Sequence, residues 1–409
     1  MAEYDITIKG SGLEFDTTDA SYPVMAKLSA TRFITAWMQS GGLLLSCYDL
    51  NTSTGAITQV GSSTFPGYSL TGTFPIGLLT LTSSRVFAIY ADASDTYCET
   101  FPVDGSGNIS SPDSETLVTN QKGNDFSAVL LDSTHVFVCF RDSEGTTTVF
   151  MAVITLTGVG GSVSAITTTS TISNVNVVGN CVKISSSKVL INYVDASNDA
   201  HARVVDINNS TWAITPGADT EIYDSATVSS ISAELVDQSG LHAVVGMIVS
   251  AGTTTGRVLQ TITLDTSADT VTALGSLVQL NTFTDASKTL FFLNRVDDTH
   301  FTAFSEVSGG TGVAYSLSLN NTTGAISSVD TDTFGATQTK QLSSLAMDTS
   351  LFVVGYKGAS DDGFFQVFEV TMPISGPANL KSYNTNLKAN IKTINTNAIA
   401  NVKSLDTNV

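Results

Sequence analysis

Positive charge is scarce in this sequence. Eighteen Lys and Arg stand against 37 Asp and Glu, a formal net charge of −19. That balance repels nucleic-acid phosphates and anionic membranes, so the body of the protein is expected to engage neither. Charge of either sign is sparse, at 13% of residues. Ser, Thr, Asn and Gly separate the apolar runs, a pattern that makes strands and turns, not helices. Long apolar stretches are missing too. No run of 18 apolar residues occurs, and the opening Met1-Ala2-Glu3-Tyr4-Asp5 has neither a basic nor an apolar leader. The expectation is a chain that does not insert in a membrane and does not use a signal peptide. Only four cysteines are present, Cys47, Cys98, Cys139 and Cys181, each in an apolar stretch of a different repeat. Without the close pairing of a zinc site they are expected to be small buried hydrophobes.

Catalytic signatures are also wanting. There is no G-x-S-x-G, no P-loop and no H-E-x-x-H. A propeller glycosidase of the sialidase type would need an acid cluster, several arginines and Ser-x-Asp-x-Gly-x-x-Trp turns. Six arginines exist, two of them at turn positions, and the nearest stretch, Ser360-Asp361-Asp362-Gly363-Phe364, has the wrong spacing. The chain is expected not to be an enzyme and to need no cofactor.

What is present is a repeat. Arg85-Val86-Phe87-Ala88-Ile89-Tyr90-Ala91-Asp92 recurs as His135 to Asp142 and Lys188 to Asp195, and more loosely elsewhere. The first apolar positions, Phe33, Val86, Val136, Val189, His242 (at this place), Phe301 and Phe352, lie 53, 50, 53, 53, 59 and 51 residues apart. A period of that size, rich in β-branched and aromatic residues, predicts an all-β, seven-bladed β-propeller. In the first repeat the strands are expected over 23–29, 33–38, 43–50 and 56–60. The third and fourth strands are joined by turns such as Asn51-Thr52-Ser53-Thr54-Gly55 and Asp104-Gly105-Ser106-Gly107-Asn108. These residues tolerate positive φ or bond their own backbone. Neutral counterparts at the same place make Asp104–Asn108 a turn and not a calcium loop, and no metal site is expected.

The seventh repeat supplies three strands before Pro373 and Gly376 intervene. An open ring would leave an unpaired edge. Residues 4–9 alternate apolar and polar, the pattern of a half-buried strand, and are expected to close blade 7. Residues 1–376 would then be the propeller and 377–409 a short β-type extension. That extension repeats every eleven residues, beginning at Asn379, Asn390 and Asn401. Its Lys381, Lys388, Lys392 and Lys403 against the single acid Asp406 make it +3, and the rest of the chain −22. Three such units cannot bury a core alone. The lysines are therefore assembly candidates, set to meet an acidic surface of another copy or another structural protein.

Among site candidates, Asp92, Asp142 and Asp195 all follow the central strand of a repeat. They are expected to accept backbone N–H bonds in the next turn, or else to form a carboxylate ring that takes cations or sugars. His135, His242 and His300 share a strand-opening position with Arg32, Arg85 and Lys188, which reads as a turn feature pointing to water. His201 stands alone, with no partner in sequence.

The stretch Ser185-Ser186-Ser187-Lys188-Val189-Leu190-Ile191-Asn192-Tyr193-Val194-Asp195, followed by Ala202-Arg203-Val204-Val205, resembles a repeat of tail-fibre and virion-surface proteins of bacteriophages and other large viruses. Residues 83–92 and 133–142 are similar, and the likeness runs from about residue 20 to 372. It implies a propeller-like attachment domain and transfers no binding residues. The reading is a non-enzymatic virion-surface fibre, spike or decoration subunit, homo-oligomeric and released by lysis. The extension would anchor it to other virion proteins, and the disc would face a host glycan or surface protein. Two other readings are a glycan-processing enzyme on the same scaffold and a prokaryotic surface-layer or filament subunit.

Overall fold

In the computed structural model, residues 2–17, 20–39, 42–66, 76–92, 95–142, 147–224, 228–239, 241–250, 256–281, 291–307, 310–335 and 340–373 are described. The strands assemble as seven antiparallel sheets. Blade 1 is Ser21–Ser29, Arg32–Gln39, Gly42–Leu50 and Ile57–Pro66. Blade 2 is Ile76–Thr82, Arg85–Asp92, Asp95–Pro102 and Thr116–Thr119; blade 3 is Gly123–Asp132, His135–Asp142, Thr148–Leu156 and Val163–Ser173. Blade 4 has a divided inner strand, Val175–Val178 and Val182–Lys183, then Lys188–Asp195 and Ala200–Ile207, and a divided outer strand, Ile214–Pro216 and Thr220–Tyr223. Blade 5 is Val228–Asp237, His242–Val249, Gly256–Asp265 and Thr270–Asn281; blade 6 is Phe292–Arg295, His300–Glu306, Gly312–Leu319 and Ile326–Phe334. Blade 7 takes Lys340–Ala346, Leu351–Lys357 and Gly363–Val370 from the end of the array, and Ile6–Ile8 and Leu13–Asp16, both paired with Gly363–Val370, from its beginning. The seven-bladed propeller and its N-terminal closing strand are as the sequence leads one to expect.

The alternation of side chains along a strand explains why the central strands are apolar at nearly every position. Each sheet is buried on both faces, as in parallel sheets covered on two sides. In blade 2, Val86, Ala88 and Tyr90 pack with blade 1, while Phe87, Ile89 and Ala91 pack with blade 3. The hydrophobic core is thus a series of seams between neighbouring blades. On the axis, inner strands of six blades bring Val24, Ile76, Phe126, Val178, Ile231 and Phe292 around a small space of about 130 Å³.

The outer strands carry bulges that receive the next blade. In blade 1, Cys47 pairs with Gly61 and Tyr48 with Gln59, leaving Val60 outside the ladder. A Cβ on Gly107, in the turn of blade 2, would lie 2.5 Å from Val60 Cγ2. The turns themselves are built as expected. Asn51 Oδ1 accepts N–H bonds from Ser53 and Thr54 at 3.0 and 3.1 Å. Asp104 Oδ1 accepts those of Ser106 and Asn108 at 2.8 and 2.9 Å.

The strand-opening basic positions require a correction, because they do not point to water. Arg32 Nε donates to Asp49 at 2.6 Å, and its Nη1 reaches Gly105 O in the turn of blade 2 at 2.8 Å. The His135 ring bonds Asp132 and stacks on Trp212 of the blade 4 turn, with ring centroids 3.6 Å apart. Lys188 donates to Asp206 in its own blade and to Asp269 in the turn of blade 5. His300 bonds Asp297 and stacks on Tyr4, and His242 bonds the buried Asp237. Arg32, His135, Lys188 and His300 thus span the gap to the following blade, whereas Arg85 and His242 bond acids of their own blade, Asp113 and Asp237. All six have an aspartate partner, which Arg, Lys and His can each serve.

Candidate functional site

A cleft of about 560 Å³ opens between the outer part of blade 3 and the middle of blade 4, bounded by Ser173, Asn174, Tyr193, Asp195, His201 and Arg203 among others. The hairpin of blade 4 builds its floor. Register places Tyr193 opposite His201 and Ile191 opposite Arg203. Tyr193, His201 and Arg203 therefore project from one face of the sheet, the face that packs on blade 3. Pro216 and Gly217 interrupt the outer strand, and Asp219 follows to close the far side.

These side chains form one network. Tyr193 OH donates to Asp219 Oδ1 at 2.6 Å and accepts from Arg203 Nε at 2.8 Å. Arg203 Nη2 lies 3.1 Å from Asp219 Oδ2, and its guanidinium carbon 5.9 Å from the Tyr193 ring centre. His201 stacks on Tyr193 at 5.5 Å, and its Nδ1 lies 3.2 Å from Asp219 Oδ1. A carboxylate only accepts, so Nδ1 carries the proton of that bond. Burial works against ionisation of Asp219, yet Tyr193, Arg203 and His201 together hold its carboxyl below the ordinary range. Burial and the bond to Asp219 push the Tyr193 phenol well up. The His201 Nε2 atom is buried without a hydrogen-bond partner, 3.8 Å from Asp195 Oδ2.

Of the three aspartates singled out in the sequence, Asp195 does what a turn residue should. Its Oδ1 accepts N–H bonds from Ser197 and Asp199 at 2.8 and 2.9 Å, and its other oxygen borders the cleft. Asp142 is only 3% exposed, so it is not offered to a surface that Asp195 could share. The Asp92 side chain and the lysines Lys381, Lys388, Lys392 and Lys403 lie outside the described residues. His201, which has no partner in sequence, has two acidic neighbours in space. Tyr193, Arg203 and Asp219 are the residues that sequence reasoning misses. Their signal is a hairpin in which Tyr-x-Asp faces His-x-Arg, and it becomes visible only when the register is known.

The cleft is lined by hydroxyls, carboxylates, an amide, a guanidinium and an imidazole. Such a set suits a polyhydroxylated ligand, which offers many donors and acceptors. Among the described residues, no hydroxyl of the cleft bonds His201 to make a nucleophile–base pair.

Neither a protein-family model nor a curated protein matches the chain. Solved structures do. A protein of Bacteroides uniformis provisionally named a 6-phosphogluconolactonase superposes with a TM-score of 0.56 at 11% identity, over 78% of this chain and 85% of that one. A protein from Lactobacillus plantarum gives 0.56 at 11% identity, over 82% and 100%. A second protein provisionally named a 6-phosphogluconolactonase, from Bacteroides fragilis, gives 0.54 at 12%, over 78% and 90%. At these identities the likeness is one of fold, and the fold is a seven-bladed β-propeller.

Proposed function

We propose that the chain is a non-catalytic attachment module of a virion surface, which holds a host glycan in the cleft between blades 3 and 4. The observation that carries this reading is the Tyr193–Asp219–Arg203 network. It presents fixed polar groups to the cleft, and its acid and guanidinium are already engaged with one another. Two further points support it. Blades 3 and 4 contain repeats that resemble those of virion-surface and tail-fibre proteins, and the acidic body would be kept off anionic membranes while neutral sugars approach freely. The basic extension, with Lys381, Lys388, Lys392 and Lys403, would anchor the disc to an acidic structural partner.

Glycan-array binding of the full chain, with product analysis of each hit, tests this. The expected result is selective retention of a few glycans, none of them cleaved. The Asp195→Asn and Arg203→Met variants should lose that binding at least about tenfold, the loss of one charged hydrogen bond. Cleaved product would establish the glycan-processing alternative. Retention unchanged in both variants would remove the cleft from the reading.

A further inference from the structure

Two of the four cysteines meet across a blade seam. Cys139 is in the second strand of blade 3, 0% exposed, on the face that packs against blade 4. Cys181, 5% exposed, lies just before the short inner strand Val182–Lys183 of blade 4 and belongs to the same apolar seam. Ser127 holds them together. It sits directly opposite Cys139 in the blade 3 ladder. Its Oγ accepts the Cys181 N–H at 2.9 Å and lies 3.1 Å from Cys181 Sγ. Cys139 and Cys181 therefore converge on the same Ser127 side chain within one seam. Cys47 and Cys98 lie apart from this pair, in the seams between blades 1 and 2 and between blades 2 and 3.

We propose that Cys139 and Cys181 are an oxidisable pair that closes to a disulfide and fastens blade 3 to blade 4. The oxidant is a small-molecule disulfide such as glutathione disulfide. The thiolate of Cys181, the more exposed of the two, attacks one glutathione sulfur and expels one glutathione thiolate. Cys139, on losing its proton, attacks Cys181 Sγ and expels the second. Two protein thiols are oxidised, one glutathione disulfide is reduced to two glutathiones, and the two protons end on those leaving thiolates. The neighbouring Cys181 side chain and burial hold the Cys139 thiol above its ordinary range. Its thiolate is therefore rare in the closed protein, and exchange proceeds while the chain folds or when the seam opens.

The test folds the full-length chain with a mixture of reduced and oxidised glutathione, and in parallel with reductant alone. Denatured samples are titrated for thiols and mapped as peptides. The expected outcome is a fall from four free thiols to two, a mass lower by about 2 Da, and one reductant-sensitive link between the Cys139 and Cys181 peptides. The double variant Cys47→Ser/Cys98→Ser should keep that link. Cys139→Ser should lose it and leave glutathione on Cys181. Four titratable thiols after folding in the mixture, or a link between any other pair, would overturn the proposal. The peptide map of the unsubstituted chain decides the matter even if a variant does not fold.

Discussion

The carboxylate of Asp330 accepts the backbone N–H of Ile6 at 3.0 Å. Asp332 does the same for Ile8 at 2.9 Å. Both acids stand on the outer strand of blade 6, and both amides are on the strand that completes blade 7. An outer strand normally leaves such amides facing water or another chain; here the preceding blade caps them. Tyr4 adds a third tie, donating its O–H to Asp297 at 2.8 Å and stacking on His300 with ring centroids 3.4 Å apart. Burial and Asp297 together push the Tyr4 phenol up to about 12. The closing strand is thus held on one side by the ladder Ile6–Val370, Thr7–Glu369 and Ile8–Phe368, and on the other by side chains of blade 6.

Removing the caps should therefore loosen the ring. The double variant Asp330→Ala/Asp332→Ala is expected to lose about 1–3 kcal/mol of stability, the usual worth of hydrogen bonds to a charged group when both amides keep some access to water. Deletion of residues 1–10 should cost more, because it also removes the pairing of Ile6–Ile8 with the last strand of blade 7 and leaves only that of Leu13–Asp16. Denaturant unfolding monitored by Trp fluorescence reads both. A midpoint unchanged by the deletion would mean that closure contributes nothing to stability.

The opposite face of the same closure rests on Gly55. This residue has φ +74°, and a Cβ there would lie 2.3 Å from Lys9 O on the closing strand. Gly55→Ala meets both backbone strain and a rigid carbonyl, so a loss of roughly 1–3 kcal/mol is expected. Gly105 is the comparison, since a Cβ placed there finds nothing within 4 Å. Gly105→Ala should stay within about 0.5 kcal/mol of the parent. Equal losses in the two variants would show that close approach is not what selects glycine at residue 55.

These contrasts also mark what could be read from the chain alone. The strand period, the blade number and the closing strand were legible, because burial on both faces writes β-branched and aromatic residues at nearly every central-strand position. Phe87 and Ala88 face different seams, yet both must be apolar. The basic strand-opening residues were legible as a recurring feature but not in their role. Lys188 and Asp269 are 81 residues apart, and only the packing of blade 5 on blade 4 brings them together. The cleft was the least legible. Tyr193 stands at the repeated position of Tyr90, whose hydroxyl likewise bonds an acid, Glu115, but its meeting with His201, Arg203 and Asp219 depends on hairpin register.

Glu234, on the inner strand of blade 5, gives a pH prediction. Burial pushes its carboxyl up to about 8, with Arg295 pulling the other way. In the unfolded chain a Glu ionises near about 4.3. The folded state therefore holds the proton more tightly. The resulting penalty is absent below the unfolded value, grows as pH rises through that window, and levels off above about 8. Glu234→Gln, which cannot ionise, should be more stable than the parent at pH 8 and indistinguishable from it near pH 4. Thermal midpoints at the two pH values measure this. A variant less stable at both would mean that the Glu234 carboxylate is needed as an acceptor.

Lys188 tests whether the basic residues fasten blades together or merely fill space between them. Its side chain is 18% exposed, and it bridges Asp206 of blade 4 and Asp269 of blade 5. Burial lowers its proton affinity, but the two carboxylates more than offset this and hold the ammonium above its ordinary value. Lys188→Met keeps most of the stem and removes the charge, leaving two acids close to each other. A cost of about 1 kcal/mol is expected at low salt, set by a partly screened pair and the new repulsion. Raising the salt to about 1 M shortens the screening length to about 3 Å, so the parent and the variant should converge. A deficit that persists unchanged in high salt would instead place the contribution in the packing of the lysine stem across the seam.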